Sequence, residues 1–249
     1  MMKFERQHQI LSMLFDGGVI SLRELEEKTG ARRLTIQRDL VELENQHRLK
    51  RIRGGMTTVD YGLHPRSRDI REKENVTIKD RLCRMAVSLI QAGDVVGIDG
   101  STTTQAVSRF LPDIRLTVFT TSVYAYLELI HKRNITAIIS GGETNPRTFD
   151  ISGALAIDSI RKFHFHTLFL SADGFNLEQG MMDHEIDVSN VKREMIRNSE
   201  RVVCLIDSGK FKRTNGVITA GLDEIDLIIT DAGHPVAFPP GVKEKVILV

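Results

Sequence analysis

Ala31-Arg32-Arg33-Leu34-Thr35-Ile36-Gln37-Arg38-Asp39-Leu40-Val41-Glu42-Leu43, followed by Leu49-Lys50-Arg51-Ile52-Arg53-Gly54-Gly55, is the stretch that decides how the chain is read. Ile36, Leu40 and Leu43 stand at helical spacing, so one face of this segment is apolar. Leu34, Thr35, Gln37 and Arg38 project from the other side. Their hydroxyl, amide and guanidinium groups can hydrogen-bond base edges and phosphate oxygens in a major groove. The basic segment that follows ends in two glycines and reads as a β-hairpin wing. Seven Lys or Arg stand against three Asp or Glu between Ala31 and Gly55, whereas the whole chain carries a formal charge of +1. Positive charge is therefore concentrated here, and Arg32, Arg33, Thr35, Gln37, Arg38, Lys50, Arg51 and Arg53 are the candidate DNA contacts.

Upstream, Ile10, Leu11, Leu14 and Phe15 keep helical register, and Gly17-Gly18 ends that helix. Ser21-Leu22-Arg23-Glu24 has the capping-box form, in which the Ser hydroxyl and Glu carboxylate satisfy free amides reciprocally. Leu22 and Leu25 then face inward, and Thr29-Gly30 stops this second helix. Three short helices and a wing predict a winged helix-turn-helix over residues 1–57. The competing reading is a generic helical domain whose arginines form a solvated face. Residues 58–75, with Arg66, Arg68, Asp69, Arg71, Glu72, Lys73 and Glu74 and little apolar periodicity, read as a solvated linker that enters a helix near Arg68.

Composition bounds the rest. The 249 residues are 41% hydrophobic and 27% charged, ordinary for a soluble globular protein. No apolar run approaches the ~20 residues of a membrane-spanning helix, and the N-terminal residues lack a signal-peptide core, so no membrane partner is expected. Cys83 and Cys204 are far apart and lack metal-type spacing; a reducing cytoplasm fits, with both as small core residues.

From residue 76 to 249 apolar strands alternate with helices: Val95–Asp99, Leu116–Thr120, Thr136–Ser140, Thr167–Ser171, Arg201–Asp207 and Leu227–Asp231. This predicts a parallel α/β sheet covered on both faces. Small polar residues recur where these strands end, the ligand edge of an open α/β sheet. Gly100, Ser101, Thr102 and Thr103 offer hydroxyls and free amides where a helix begins, a form suited to an anion. Thr120, Thr121 and Ser122 repeat the arrangement, and Lys210 can bring a cation to the same edge. Asp99, Asp173 and Glu185 can bind sugar hydroxyls. Any one such loop is as well explained as a helix cap; several at one edge are not.

These residues also carry a family resemblance. Arg6…Ile10-Leu11, Leu22-Arg23-Glu24-Leu25, Leu34-Thr35-Ile36-Gln37-Arg38-Asp39-Leu40 and Leu49-Lys50-Arg51-Ile52-Arg53-Gly54-Gly55 resemble the DeoR family of bacterial sugar-catabolism repressors. Its effector domain is resembled by Ile98-Asp99-Gly100-Ser101-Thr102-Thr103, Val118-Phe119-Thr120-Thr121-Ser122, Gly141-Gly142, Asp173-Gly174, Val191-Lys192-Arg193, Asp207-Ser208-Gly209-Lys210-Phe211 and Ile229-Thr230-Asp231. The resemblance implies a sensor domain similar in fold to ribose-5-phosphate isomerase, and a phosphorylated sugar that releases the repressor from a double-stranded DNA operator. It adds Gly141, Gly142 and Gly174 to the candidate ligand residues. Four positions depart from the family: Arg32 for its usual Ser cap, Gln37 for a second Arg, Arg53 for His and Thr121 for Asn. The fold expectation survives these changes, but no operator sequence or sugar preference carries over.

Other chemistries find little support. His164 and His166 sit two apart beside a strand with no third ligand spaced to join them, so structural histidines are expected and no metal. His184 reads as a loop residue near the ligand. No Gly-x-Ser-x-Gly elbow, P-loop or dinucleotide fingerprint is present, and no cofactor is expected. The alternative function is a sugar-phosphate isomerase in which Asp99, Asp173 or Glu185 moves a proton and Lys210 steadies an enediolate. A basic winged helix has no use in such an enzyme, so a non-enzymatic regulator is expected. A single winged helix buries modest surface on DNA, which implies a dimer or tetramer reading repeated half-sites.

Overall fold

The computed structural model describes residues 3–17, 20–45, 49–52, 55–58, 68–146, 148–213, 216–233 and 238–249. The chain divides into two compact units, Met1–Arg71 and Glu72–Val249.

In the first unit, α1 (Lys3–Gly17), α2 (Leu22–Thr29) and α3 (Arg33–Asn45) are followed by β1 (Leu49–Ile52) and β2 (Gly55–Thr58). The capping box forms: Ser21 N donates to Glu24 Oε2 at 2.8 Å, and Glu24 N donates to Ser21 Oγ at 3.3 Å. Gly30 closes α2 at a φ of 66°, a left-handed cap that an L side chain rarely adopts. β1 and β2 pair antiparallel from Leu49 opposite Thr58 to Ile52 opposite Gly55, and Ile20 bridges to Met56 beside them. Ile10, Leu14, Leu25, Ile36, Leu40, Leu43 and Leu49 are buried together. The expected winged helix-turn-helix is thus the observed one.

Asp39 joins the buried face of α3, although the apolar pattern gives no hint of it. Its carboxylate takes the Arg6 Nε at 2.5 Å and ties α1 to α3. A carboxylate can be buried there because the guanidinium offsets its lost hydration. Of the expected linker, residues 59–67 lie outside the described residues, and Arg68–Lys73 is a short helix, α4.

The second unit begins with α5 (Val76–Val87), then β3 (Val95–Ile98), α6 (Thr102–Gln105), α7 (Val107–Phe110), β4 (Leu116–Thr120), α8 (Val123–Leu129) and β5 (Ile135–Ile139). A two-stranded hairpin, β6 (Glu143–Thr144) and β7 (Ile151–Ser152), precedes α9 (Ala154–Ile160) and β8 (Thr167–Leu170). β9 (Gly174–Asn176), β10 (Gly180–Asp183), α10 (Ile186–Arg197) and β11 (Val202–Ile206) follow. After a 3-10 turn at Ser208–Lys212 come β12 (Val217–Ala220), β13 (Leu227–Thr230), α11 (Pro240–Lys243) and β14 (Val246–Leu248).

Seven strands form one parallel sheet in the order β14-β13-β11-β8-β3-β4-β5. Each strand feeds both faces. Leu168 and Leu170 pack on one side and Phe169 on the other; Cys204 and Ile206 oppose Val203 and Leu205. Burial on both faces is why these strands read as unbroken apolar runs. Asp99, Ser171, Asp207 and Asp231, expected inside strands, fall just past their carboxyl ends. Burial pushes the Cys83 thiol up to about 12 and raises Cys204 as well, so both are inert core residues.

The chain runs outward from β3 to β4 and β5, then returns to the other side of β3 with β8 and runs outward again. The direction therefore reverses between β3 and β8. The crevice beyond the carboxyl ends of that strand pair is where open α/β sheets hold ligands. A second, antiparallel sheet, β12-β10-β9, has no counterpart in the sequence reading. Its strands are short, β9 and β10 each begin with glycine, and β12 arrives only after α10 and β11, so no local alternation betrays it.

Candidate functional site

Two surfaces carry the residues singled out from the sequence, one in each unit. On the first unit, Arg33, Leu34, Gln37 and Arg38 are exposed on α3, Arg32 is exposed just before it, and Thr35 is half-buried. Ile36, Leu40 and Leu43 occupy the opposite, fully buried face. Lys50 and Arg51 lie in β1, and Arg53 lies outside the described residues.

On the second unit the strand reversal brings β3 and β8 together, and Asp99 is the buried hub. Its Oδ1 accepts from Ser101 N at 3.3 Å, from Ser101 Oγ at 3.0 Å and from Thr104 Oγ1; its Oδ2 accepts from Ser171 N at 3.4 Å. Lys192 Nζ stands 3.2 Å from the same Oδ2. That ammonium also donates to Asp183 Oδ1 at 2.6 Å and to Ser171 O at 2.7 Å. Burial opposes the charge on Lys192, but Asp183, Asp99 and Asp173 outweigh it and hold the ammonium above the usual lysine range. Asp183 is completed by Thr219 Oγ1 at 2.7 Å.

Two further lysines meet consecutive threonines at the start of α6. Lys79 Nζ, from α5, donates to Thr102 Oγ1 at 3.3 Å. Lys210 Nζ, from the turn after β11, lies 3.5 Å from Thr103 Oγ1, 2.7 Å from Ser171 Oγ and 3.9 Å from Asp207 Oδ2. The crevice is thus polarised. Ammonium groups flank Thr102 and Thr103, while Asp99, Asp173 and Asp183 gather around Lys192.

The remaining predicted residues fall into place unevenly. Asp173 Oδ2 accepts from His184 N at 3.2 Å, and Glu185 Oε2 accepts from Asn145 Nδ2 at 3.2 Å. Thr120 and Ser122 spend their hydroxyls as local caps: Thr120 Oγ1 takes Ser122 N at 3.0 Å, and Ser122 Oγ takes Ala125 N at 3.3 Å at the start of α8. Thr121 is buried, with its carbonyl on Ile151 N at 2.8 Å. At Gly142, φ is 130° and an added Cβ would fall 2.4 Å from Ser152 O, so this glycine is required by β7. Gly174 is required by the turn after β11, since a Cβ there would meet Arg213 O at 2.0 Å. At Gly100, a Cβ would meet the Asp150 carboxyl at 2.4 Å, so close packing of a neighbouring segment already demands glycine there. Gly141 donates its amide to Ser159 Oγ at 3.3 Å. His164 pairs with Glu200 at 3.3 Å on the surface, and His166 Nδ1 accepts from Val95 N at 3.0 Å.

Sequence reasoning missed Lys79, Asp183 and Lys192 as site residues. A signal existed for the two lysines. Lys192 is in phase with buried Ser189, Met195 and Ile196, and Lys79 with Leu82, Cys83 and Ala86. A lysine inside a buried stripe needs a carboxylate or a ligand to face.

A winged helix-turn-helix joined to a parallel α/β unit with a polar crevice at its strand reversal defines a DNA-binding regulator with a sensor unit. Residues 6–61 match the model of the DeoR-like helix-turn-helix domain, and residues 74–232 match that of the DeoR C terminal sensor domain. The chain belongs to the DeoR family of transcriptional regulators. It is 32% identical to an uncharacterized HTH-type transcriptional regulator, YulB, of Bacillus subtilis, over 100% of this chain and 96% of that one. It is 29% identical to a putative aga operon transcriptional repressor of Escherichia coli O157:H7, over 98% of this chain and 93% of that one. Among solved structures, ribose 5-phosphate isomerase A from Methanocaldococcus jannaschii matches with a TM-score of 0.42 at 16% identity, covering 55% of each chain. Among the described residues, no helix is long and apolar enough to cross a membrane.

Proposed function

We propose that this regulator is a repressor of a carbohydrate-utilisation operon, released when its α/β unit binds a phosphorylated sugar. One observation carries the reading. Lys79 and Lys210 address the hydroxyls of adjacent Thr102 and Thr103, at the strand reversal, with carboxylates on the opposite side. Two ammonium groups beside amide and hydroxyl donors suit a phosphate, and Asp173 suits the hydroxyls of a polyol. The Asp150 side chain fills the space against Gly100, so the phosphate belongs nearer the two lysines than Gly100 itself. The protein acts in the cytoplasm as a dimer or tetramer on repeated half-sites of double-stranded DNA.

A screen of sugar phosphates by thermal shift identifies the effector, since a ligand at ~100 times its dissociation constant stabilises by about 2.7 kcal/mol. Linkage then tests the mechanism. If the sugar phosphate changes operator affinity, operator DNA must change sugar-phosphate affinity by the same factor. Equal ligand affinities with and without operator would sink the effector model and leave DNA binding standing. No turnover is expected, because Asp99 and Asp183 are engaged by Lys192, Asp173 Oδ2 by His184 N, and Glu185 Oε2 by Asn145 Nδ2. Exchange of the sugar C2 proton with solvent is the measurement that checks this.

On the DNA side, α3 is the reading helix. Arg38→Ala should weaken operator binding by about 1–3 kcal/mol if the guanidinium reads a base, or flatten the salt dependence by about one if it holds a phosphate. Arg38 is exposed, so folding should be unchanged. Normal operator binding by Arg38→Ala across a salt titration would remove α3 from the interface.

A further inference from the structure

The exposed side of α3 carries apolar groups to which neither the fold nor the phosphate-and-base reading above gives a task. Leu34 is 71% exposed and Val41 44% exposed, and with Gln37, Arg38, Glu42 and Asn45 they wall a shallow groove along the helix. A single leucine on a surface is ordinary and needs no explanation. Leu34 differs by its position. It sits in the first turn of α3, directly after exposed Arg33, and three and four residues before Gln37 and Arg38 on the same face. In a helix-turn-helix, the first residues of the second helix of the motif are the ones that reach base edges. All its polar neighbours have hydrogen-bonding partners to find in a major groove. Leu34 has one only, because the sole apolar group displayed there is the C5-methyl of thymine.

We propose that Leu34 is a specificity-determining residue that packs on a thymine methyl in the major groove, beside an adenine taken by Gln37. The proposal rests on α3 being the reading helix. Three residues advance a helix by ~4.5 Å, and stacked base pairs are ~3.4 Å apart, so the two side chains reach the same or adjacent base pairs. Gln37 carries the amide that pairs with adenine N6 and N7. Together they select an A·T-containing step. Arg33 and Arg38, on either side, supply the charge that brings the phosphates close and presses the leucine against the base edges.

The test is a methyl scan. The full chain first selects its operator from a random pool of double-stranded DNA. Each thymine of the selected site is then replaced in turn by deoxyuridine, which removes the methyl and nothing else. With the wild-type protein, one thymine per half-site should lose roughly three- to fivefold in affinity on demethylation, the effect of withdrawing one buried methyl-sized group. With Leu34→Ala that position should become indifferent to the methyl, and with Leu34→Met, which keeps the apolar reach, sensitivity should persist. Leu34 is exposed, so both variants should fold, and circular dichroism verifies it. A flat wild-type scan, or an unchanged scan in Leu34→Ala, overturns the assignment. Arg38→Ala separates the two levels. Weakened binding by Arg38→Ala with a scan that ignores Leu34 discards this proposal alone, whereas undiminished binding by Arg38→Ala discards the reading helix and the proposal with it.

Discussion

Replacing Lys192 by methionine should destabilise the α/β unit by about 3–5 kcal/mol, and the loss should shrink as the solution is acidified. The methionine fills a similar volume but loses the charge and the bond to Ser171 O, so the pH dependence isolates the charge. Lys192 neutralises Asp99 and Asp183, which are 0% and 2% exposed, and removing it leaves both carboxylates buried without a cation. Burial already raises Asp183 above the usual carboxylate range, with the nearby lysine only partly restraining it. Without the lysine's restraint, Asp183 titrates higher still in the folded protein, further above its value in the unfolded chain. A raised folded pKa contributes stability that is present below the unfolded value and is lost as pH rises through the folded value. The penalty should therefore be greatest at neutral pH and above, and smallest near about pH 4, where the unfolded carboxylates also begin to protonate. Wild-type stability should show a smaller change of the same sign, because Lys192 keeps its proton throughout the range and partly restrains the rise at Asp183. Urea unfolding of both proteins, followed by circular dichroism across pH, is the measurement. A loss that stays constant with pH would mean that Lys192 serves packing and hydrogen bonding, and not charge balance.

What the sequence makes legible follows from which interactions are local. The capping box of Ser21 and Glu24, the left-handed Gly30 and the buried face of Ile36, Leu40 and Leu43 are all set within one or two helical turns, and each is found where periodicity places it. Six of the seven parallel strands are readable for a related reason, since burial on both faces leaves nearly every position apolar, whereas the three-residue edge strand β14 is only half-buried and does not read as a strand. The β9-β10-β12 sheet and the partners of Lys192 depend on segments brought together by topology. Asp99 and Lys192 are far apart in the chain, and no spacing rule connects them. Gly100 and Gly142 illustrate a different limit. Their sequence context suggests close approach by a ligand, but the neighbours that exclude a side chain are Asp150 and Ser152 of the same chain. Thr120 and Ser122 likewise look like donors for a ligand and act as caps at the end of β4. Hydroxyls at helix starts serve both purposes, and only the contact list of each hydroxyl tells which is in force.

Lys210→Ala should produce a repressor that holds its operator and ignores its inducer. Lys210 bonds to the neutral hydroxyls of Ser171, Oγ at 2.7 Å, and Thr103, Oγ1 at 3.5 Å, and Asp207 Oδ2 lies 3.9 Å away. Without it, Ser171 Oγ keeps its bond to Leu205 O at 2.6 Å, and Asp207 keeps Asn75 at 3.2 Å. The cost to folding should accordingly be small. The cost to ligand binding should not be. A charge-assisted hydrogen bond contributes about 1.5–3 kcal/mol, so losing it should weaken sugar-phosphate affinity roughly ten- to a hundred-fold. Lys79→Ala should act in the same direction, because its ammonium addresses the adjacent threonine. Neither lysine belongs to the unit that carries α3, so operator affinity without ligand should equal that of the wild type. Calorimetric titration with the responsive sugar phosphate, paired with operator binding in the absence of ligand, separates these effects. Unchanged ligand affinity in Lys210→Ala would take this lysine out of the site. Unchanged affinity in both variants would move the anion away from Thr102 and Thr103, since no phosphate lodged there could lose both ammonium groups without weakening.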